Sequence, residues 1–306
     1  MIDQSNNDYE FSVGGFRFNI TVPSALDIFS LLPAYHVFLA GDNENDRLFC
    51  LETVNTLPHA EDVVCIEQIS TDIGVIILYR TRQGYRLDVR PNHSRTVHRM
   101  VTDARFTHAL ATVIWSDRYA GNAFDAMLRT MFSMAVLFHG GISVHASCVV
   151  NSGSAYLFMG RSGTGKSTHS SLWIRNIPGT MLLNDDNPVI RVSGHTLMAY
   201  GTPWSGKTPC YRAEGYPVAG IARLVQSSHN VFTPKYDVDA FSVILPGCSA
   251  IRQDRNIFGA LCDILAEISV MSPVGTMECL PDNDAALICH EHLKTMCGTD
   301  GGPVRK

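Results

Sequence analysis

One short segment limits what this chain can fold into more than any other. It is the run Gly160-Arg161-Ser162-Gly163-Thr164-Gly165-Lys166-Ser167. The run fits the P-loop pattern G-x-x-x-x-G-K-[ST] at every fixed position. An apolar stretch, residues 155–159, comes before it, and a stretch compatible with a helix, residues 166–175, comes after it. The sequence therefore predicts a strand, a phosphate-binding loop and a helix in succession, which is the context that this motif requires.

The chemistry of this loop follows from its residue types. Glycines allow the backbone to curl with its N–H groups pointing inward, and the start of the following helix adds partial positive charge. Lys166 is expected to reach the β- and γ-phosphates of a nucleotide, and the hydroxyl of Ser167 suits Mg²⁺, which prefers oxygen ligands. We therefore predict that the eight loop residues, together with Thr168, bind ATP.

A second acidic motif follows the P-loop helix. Residues 180–184 form a mainly apolar run that ends in Asp185 and Asp186. A strand that ends in carboxylates downstream of a P-loop is typical of a metal site in nucleotide-hydrolysing and phosphoryl-transfer proteins. One carboxylate can hold Mg²⁺, and the other can accept a proton from an incoming hydroxyl. The same residues would also favour a turn, so both interpretations are open.

Two further residues are candidates for the site. His145 lies within residues 142–150, a predicted strand that a turn at residues 151–153 joins to the P-loop strand. A histidine in a strand can be structural or functional. Lys207 lies in a loop rich in glycine and proline, with Arg212 shortly after it. A cation there can contact a transferred phosphate or an anionic substrate, or it can be a solvated lysine on a turn.

Periodicity divides the chain into two regions. In the first hundred or so residues, apolar side chains alternate with polar ones, as at Phe16, Phe18, Ile20 and Val22, which is typical of half-buried strands. From about residue 120, apolar side chains recur at helical spacing. We therefore predict a β-rich N-terminal domain over residues 1–118. An α/β P-loop domain with a mixed sheet is predicted over residues 119–306.

Composition excludes several classes of protein. The 306 residues are 45% hydrophobic and carry a net charge of −5, so nucleic acid is not a favoured partner. No basic segment followed by an apolar one opens the chain, and the longest apolar stretch, residues 127–138, is interrupted by Arg129. The nine cysteines include no C-x-x-C pair, which favours free thiols. We expect a cytoplasmic protein with no membrane partner.

Three motifs in order resemble the catalytic domain of HPr kinase/phosphorylase, a relative of phosphoenolpyruvate carboxykinase. They are Ser143-Val144-His145, the P-loop, and Leu183-Asn184-Asp185-Asp186. In that family a histidine precedes the P-loop strand and a double aspartate ends the next strand. The resemblance covers residues 120 to 290 or so, and it implies a kinase domain of this type. It also implies ATP and Mg²⁺ as cofactors and a homo-oligomer as the assembly.

The resemblance also implies roles for individual residues. Lys166 and the loop amides would bind the β-phosphate. Ser167 and Asp186 would help to hold Mg²⁺, with Asp185 close to the same ion. Asp185 would accept the proton of a seryl hydroxyl, and His145 would support the phosphate or the aspartate charge. Which aspartate takes which role stays open, and Lys207 is the candidate for contact with the transferred phosphate.

Two differences from the family bear on the substrate. The signature Pro-x-Arg-Pro-Gly-Arg-Asn of HPr kinases is absent from the sequence, and the N-terminal region is unlike the usual regulatory domain. The prediction is therefore an ATP- and Mg²⁺-dependent kinase whose acceptor is a hydroxyl of another protein, a peptide or a small molecule. The alternatives are a nucleotide-binding sensor or assembly protein without phosphotransfer, a carboxykinase-like enzyme, and a nucleotide-dependent phosphatase or ATPase.

Overall fold

A computed structural model describes residues 5–41, 47–59, 63–71, 73–206 and 208–297. The chain forms two compact units, Met1–Phe138 and His139–Lys306. The predicted boundary after residue 118 stays a prediction. In this structure the helix over Ala120–Ala135 falls in the first unit, because it packs against the sheet of that unit.

The first unit combines one mixed sheet with helices. Its strands are β1 (Asn6–Val13), β2 (Phe16–Pro23), β3 (Arg47–Thr53), β4 (Val64–Ser70), β5 (Gly74–Arg80), β6 (Gly84–Pro91), β7 (His98–Asp103) and β8 (His108–Thr112), and its helices are α1 (Ile28–Leu31) and α2 (Ala120–Ala135). Among the described residues the sheet order is β1-β2-β3-β8-β7-β6-β5-β4. Only β2–β3 and β3–β8 are parallel pairs in this sheet as described.

The alternating apolar residues of this unit form its core. Phe16, Phe18, Ile20 and Val22 are buried, as the period-2 pattern predicts. The ring of Phe18 stacks on Phe49 of β3 with centroids 4.8 Å apart, and it meets Phe132 of α2 edge-on. The apolar stripe of α2 is therefore core packing against one face of the sheet, and the prediction of a β-rich N-terminal region is confirmed.

The second unit contains the P-loop. Its strands are β9 (Gly141–Ser143), β10 (Ala146–Asn151), β11 (Ser154–Met159), β12 (Met181–Asn184), β13 (Val189–Ser193), β14 (Thr196–Tyr200), β15 (Gly215–Gln226), β16 (Val231–Lys235) and β17 (Val274–Cys279). Its helices are α3 (Lys166–Asn176), α4 (Asp237–Ile244), α5 (Arg255–Met271) and α6 (Asn283–Cys297). The path β12-β10-β11-β15-β14-β13-β9 runs through the sheet, with β17 beside β15 and β16 beside β17. The predicted mixed α/β architecture is thus confirmed.

One predicted strand of this unit differs from the observed structure. Residues 142–150 were expected to be one strand, but β9 ends at Ser143 and β10 begins at Ala146, so His145 lies in the break. The main-chain N–H of His145 donates to Gly247 instead of to a sheet partner, at 2.7 Å. Strand β15 is longer than its neighbours and starts at Gly215, because its first residues pair with β14 and the rest with β11 and β17.

Strand directions bring several loops to one edge of this sheet. β10 is antiparallel to β11, and β12 is antiparallel to β10, whereas β15 and β17 are parallel to β11. The start of β10 and the ends of β11, β12, β15 and β17 therefore lie at the same edge. In open α/β sheets, ligands bind in the crevice outside such an edge.

Helices α3 and α6 cover one face of these strands. Trp173 of α3 and Leu293 of α6 belong to a buried apolar cluster with Phe158 of β11 and Phe232 of β16. This packing fixes α3, and with it the loop that precedes α3, against the sheet. In the described part of the chain, no helix combines the length and the apolar character that crossing a membrane requires.

Candidate functional site

The P-loop has the backbone that its glycines permit. Gly163 and Gly165 have φ values of +79° and +104°, a region that residues with a side chain rarely adopt. Gly165 immediately precedes α3 as its N-cap. Thr164 closes the turn, since its N–H and its hydroxyl donate to the carbonyl of Arg161 at 3.1 and 2.6 Å. The loop thus leads from β11 into the first turn of α3, as the motif predicts.

Lys166 is the first residue of α3, and only 8% of it is exposed. Its Nζ lies 2.9 Å from Nε2 of His145, and it donates to the carbonyls of Gly160 and Arg161 at 3.1 and 3.4 Å. Burial lowers the pKa of Lys166, while the nearby aspartates oppose that shift. The ammonium therefore points back over the loop.

His145 joins this lysine to one of the aspartates. Its Nδ1 lies 2.9 Å from Oδ1 of Asp186. Because the ammonium of Lys166 can only donate, Nε2 of His145 is the acceptor and Nδ1 carries the hydrogen that Asp186 accepts. The side chains of His145 and Asp186 are 41% and 24% exposed, so this chain of three groups is open to solvent.

Asp185 has a different environment from Asp186, and only 4% of it is exposed. Its Oδ1 accepts a hydrogen bond from the hydroxyl of Ser147 at 3.0 Å, and that hydroxyl lies 2.6 Å from the hydroxyl of Ser170. Its Oδ2 accepts from the main-chain N–H of Thr208 at 3.3 Å. A Cβ on Gly206 would lie 2.9 Å from the carbonyl oxygen of Asp185, so glycine allows this loop to approach closely.

Asn184 shapes the turn that presents the two aspartates. Its Oδ1 accepts from the N–H groups of Asp186 and Asn187 at 3.0 and 2.8 Å, and its Nδ2 donates to the carbonyls of Thr202 and Trp204. The side chain is fully buried, so each of these bonds replaces water. The apolar strand, the Asn184 turn and the neighbouring loop therefore hold the acidic pair together.

The predicted site residues that the structure describes lie at the same edge of the sheet. The structure brings together Lys166, His145, Asp185 and Asp186. Ser167 lies in the first turn of α3, where its carbonyl accepts from Ser171 at 2.8 Å. The other predicted nucleotide-binding residues form the loop and the start of α3. Lys207 lies outside the described residues.

Sequence reasoning missed Ser147, Ser170 and Asn184. Each carries a signal that could have pointed to it. Ser147 lies two residues after His145 where a strand begins, and Ser170 follows Lys166 by one helical turn, so both spacings favour the same side as a predicted site residue. Asn184 directly precedes the acidic pair, and asparagine often caps such turns through its side chain.

A pocket of about 290 Å³ lies on the other side of the P-loop from the aspartates. Its lining comes from the loop, from the first turns of α3, and from the ends of β15 and β17. His169 lines it and is buried, which lowers the pKa of its imidazole to about 4. The lining residues are Gly163, Thr164, Gly165, Thr168, His169, Leu172, Leu224, Gln226, Ser227, Cys279, Leu280 and Pro281.

The first unit has a larger polar cavity of about 630 Å³ on its sheet, which contains none of the predicted site residues. Glu10 lines it and is held by Arg47 at 2.8 Å and by Arg17 at 3.4 Å. Asp8 also lines it and accepts a hydrogen bond from the hydroxyl of Thr21. Within the lining, Glu10 and Arg47 are thus engaged with each other.

Two comparisons with known proteins give a match. The model of the phosphoenolpyruvate carboxykinase family matches residues 83–197, which include His145, the P-loop and the two aspartates. Among solved structures, the HPr(Ser) kinase/phosphatase from Coxiella burnetii is similar at 15% identity. That match covers 52% of this chain and 94% of that chain, with a TM-score of 0.32. No curated protein matches the sequence. The match to the family model confirms, over residues 83–197, the predicted resemblance to an HPr kinase/phosphoenolpyruvate carboxykinase-like P-loop family.

Proposed function

We propose that this protein is an ATP-dependent phosphotransferase that moves the γ-phosphate of ATP to the hydroxyl of a protein, a peptide or a small molecule. The observation that carries the proposal is the hydrogen-bonded chain Asp186–His145–Lys166 beside a P-loop, with a second, buried aspartate next to it. A binding loop alone would not need two carboxylates and a histidine in contact with its lysine.

The loop and Lys166 would bind the phosphates. The N–H groups of the loop and the first turn of α3 form a site for anions. Nζ of Lys166 now donates to two carbonyls of the loop and to His145. Phosphate oxygens are stronger acceptors than these neutral groups, because they are charged. We therefore expect Lys166 to turn toward the β- and γ-phosphates when ATP binds.

The donor set suits a magnesium ion. Among the described residues, no three histidine, cysteine, aspartate or glutamate side chains form a cluster that could hold a metal by themselves. The hydroxyl of Ser167 and the carboxylates of Asp186 and Asp185 are oxygen donors, and Mg²⁺ is usually bound by one or two carboxylates together with substrate phosphates and water. When bound, Mg²⁺ supplies positive charge that neutralises the phosphate oxygens.

Asp185 would accept the proton of the acceptor hydroxyl. The hydroxyl oxygen forms a bond to the γ-phosphorus, the bond from that phosphorus to the bridging oxygen of ADP breaks, and the hydroxyl proton passes to Asp185. Ser147 and the N–H of Thr208 hold the carboxylate of Asp185 in one orientation. Asp186 is more exposed and bonded to His145, which favours it as the metal ligand. Positioning and charge stabilisation would supply most of the rate.

A carboxykinase-like reaction is the second candidate, and the match to the phosphoenolpyruvate carboxykinase model favours it. In that reaction ATP would phosphorylate the enolate that forms when oxaloacetate loses CO₂. The same loop and acidic pair would bind ATP in both cases. The two candidates differ in acceptor, so one experiment can separate them.

The test is ADP release by the purified protein with ATP and Mg²⁺. Free serine, serine-containing peptides, a panel of hydroxyl metabolites and oxaloacetate would each be added in turn. We expect one hydroxyl acceptor to stimulate ADP release, and Lys166→Ala to abolish that stimulation. Lys294→Ala, which removes an exposed lysine of α6, is the matched control and should behave as wild type.

The outcomes separate the candidates. Stimulation by oxaloacetate alone, with release of CO₂, would replace the kinase proposal by the carboxykinase one. ADP release that no acceptor stimulates would indicate an ATPase. Tight binding of ATP with no turnover across the panel would favour the sensor or assembly alternative, since such a protein needs the loop but no chemistry.

A further inference from the structure

The loops at the edge of the second sheet stand in a fixed order. Asp185 and Asp186 follow β12, His145 precedes β10, the P-loop follows β11, and the pocket beyond the loop is lined by the ends of β15 and β17. The P-loop thus has the acidic pair on one side and the 290 Å³ pocket on the other. A triphosphate on the loop with its γ-phosphate toward the acidic pair would direct its nucleoside toward the pocket.

We propose that this pocket receives the base of ATP, with His169 and Gln226 as the groups that hydrogen-bond to it. This inference rests on the proposed function, because it assumes that a triphosphate occupies the loop. It assigns a binding role to residues that neither the P-loop motif nor the acidic pair includes.

His169 offers a hydrogen-bond donor. Nε1 of Trp173 lies 3.1 Å from Nε2 of His169. Because an indole N–H can only donate, Nε2 must accept and the ring hydrogen lies on Nδ1. Among the described residues no acceptor takes that hydrogen, although only 3% of His169 is exposed. A donor on a pocket wall that no protein acceptor uses can bond to a ligand that presents an acceptor, such as a ring nitrogen of a base.

Gln226 offers the complementary acceptor. Its Nε2 donates to the carbonyl of Gly163 at 3.3 Å, which ties the end of β15 to the P-loop. The carboxamide oxygen has no donor among the described residues, so it can accept from the exocyclic amino group of a base. Donor and acceptor therefore stand on walls of the same pocket.

The remaining lining suits a flat, largely apolar ring. Leu172 and Leu224 are buried, while Leu280, with 37% of its surface exposed, lies beside Pro281 on the loop after β17. Pockets for small ligands are typically apolar, with a few polar groups that fix the orientation. A volume of about 290 Å³ has room for a base, while the phosphates would lie outside it on the loop.

The experiment compares ATP with tripolyphosphate, which has the phosphates and no nucleoside. Both affinities would be measured by titration calorimetry with Mg²⁺ for wild type, Leu280→Ala and Gln226→Ala. Val225→Ala is the matched control, since 38% of Val225 is exposed and it does not line the pocket. We expect wild type to bind ATP at least about tenfold more tightly than tripolyphosphate. Each pocket variant should bind ATP about fivefold more weakly than wild type and should bind tripolyphosphate with unchanged affinity.

Three results would overturn the inference. Equal affinity of wild type for ATP and tripolyphosphate would mean that the base contributes nothing, although phosphate binding would stand. Equal losses for both ligands in the pocket variants would mean that these residues act only on the P-loop. If neither ligand binds wild type, the proposed function fails, and this inference fails with it.

Discussion

The two units of the molecule use charged residues in different ways. In the first unit, two carboxylates on the sheet each lie between two arginines. Glu10 pairs with Arg17 and Arg47, and Asp88 pairs with Arg86 and Arg99, at distances of 2.8 to 3.4 Å. In the second unit the charges of the site lie in loops and at the start of α3, at one sheet edge, where Asp186 contacts His145 and His145 contacts Lys166.

This difference distinguishes charged groups that stabilise the fold from charged groups that are available to a ligand. Two guanidinium groups oppose the charge of one carboxylate, so Glu10 already has its charged partners within the protein. The chain Asp186–His145–Lys166 is linear and partly exposed, and a phosphate or metal ion can exchange with its contacts. We therefore expect substitutions of the first kind to change stability, and substitutions of the second kind to change activity.

The largest effect is expected for Asp185→Asn. The amide keeps the shape of the carboxylate but cannot accept the proton of the acceptor hydroxyl. Acceptor-dependent ADP release should fall about 10³-fold, in the range typical of a lost general base. The measurement is steady-state turnover with the stimulating acceptor. Affinity for ATP, measured in parallel, should change less than about threefold. Near-full turnover in this variant would remove Asp185 from the mechanism.

Glu10→Gln tests the other half of the comparison. The substitution leaves Arg17 and Arg47, about a fifth of whose side chains are exposed, without their carboxylate. Removing one partner of a buried ion pair typically costs about 3 kcal/mol of stability. We expect a loss of about 2 to 3 kcal/mol in the free energy of unfolding, measured with urea, and no change in ATP affinity.

Asp88→Asn provides the control for that measurement. Its partner Arg99 is 51% exposed, so solvent screens the pair more strongly. We expect this variant to lose about 1 kcal/mol in the free energy of unfolding. Equal losses at both positions would show that burial of the arginines does not set the cost. A loss of ATP affinity in either variant would contradict the division between the two units.

The sequence predicted much of this site because its signals are local. The P-loop is eight consecutive residues, and the acidic pair ends an apolar strand, so neither depends on distant parts of the chain. The α/β class, the β-rich beginning and the burial of the α2 stripe likewise follow from periodicity. Each of these predictions needed only the pattern within one element.

The remaining features depend on contacts between distant segments. His145 was expected within a strand, but a hydrogen bond to Gly247 holds it in a break between two strands. The environment of Asp185 depends on Ser147 and Ser170, which are 38 and 15 positions away along the chain. The pocket beyond the P-loop unites residues near 165, 225 and 280. No local periodicity encodes such pairings.

The pH dependence of stability also allows the two units to be compared, because each contains a buried histidine. Burial lowers the pKa of His169 from 6.5 to about 4, so from pH 6.5 down to 4 the unfolded chain binds a proton that the folded chain does not. The free energy of unfolding is therefore unaffected by this group above pH 6.5 and decreases as the pH falls below that value. Between pH 7 and pH 5 the protein should lose about 2 kcal/mol of this free energy.

His98 of the first unit provides the contrast. Burial also lowers the pKa of His98, but Asp117, 3.5 Å away, opposes that shift, so its contribution should be smaller. The test is urea unfolding at pH 7 and pH 5 for wild type and His169→Gln, whose amide oxygen can still accept from Trp173. The variant should lose about 2 kcal/mol less than wild type over this interval. An identical pH dependence in both proteins would contradict the prediction.

A smaller effect on turnover than that of Asp185→Asn is expected for Ser147→Ala, which alters the surroundings of Asp185 and leaves the carboxylate in place. The variant removes the hydroxyl that donates to Oδ1 of Asp185 at 3.0 Å. A hydrogen bond to a charged group is worth about 1.5 kcal/mol or more, so turnover should fall about tenfold. The affinity for ATP should stay unchanged, because the hydroxyl of Ser147 bonds to Ser170 and Asp185 and to no P-loop residue in the structure as described.

Ser170→Ala distinguishes two possible roles of Ser147, which are to orient the carboxylate of Asp185 and to stabilise the fold. It removes the partner of Ser147 at 2.6 Å but keeps the bond between Ser147 and Asp185, so turnover should fall less, by about threefold. Both variants delete one buried hydroxyl, and comparable losses of unfolding free energy are expected. If turnover followed that free energy equally in the two variants, Ser147 would serve only to stabilise the fold. A larger fall for Ser147→Ala would mean that Asp185 depends on this hydroxyl for its orientation.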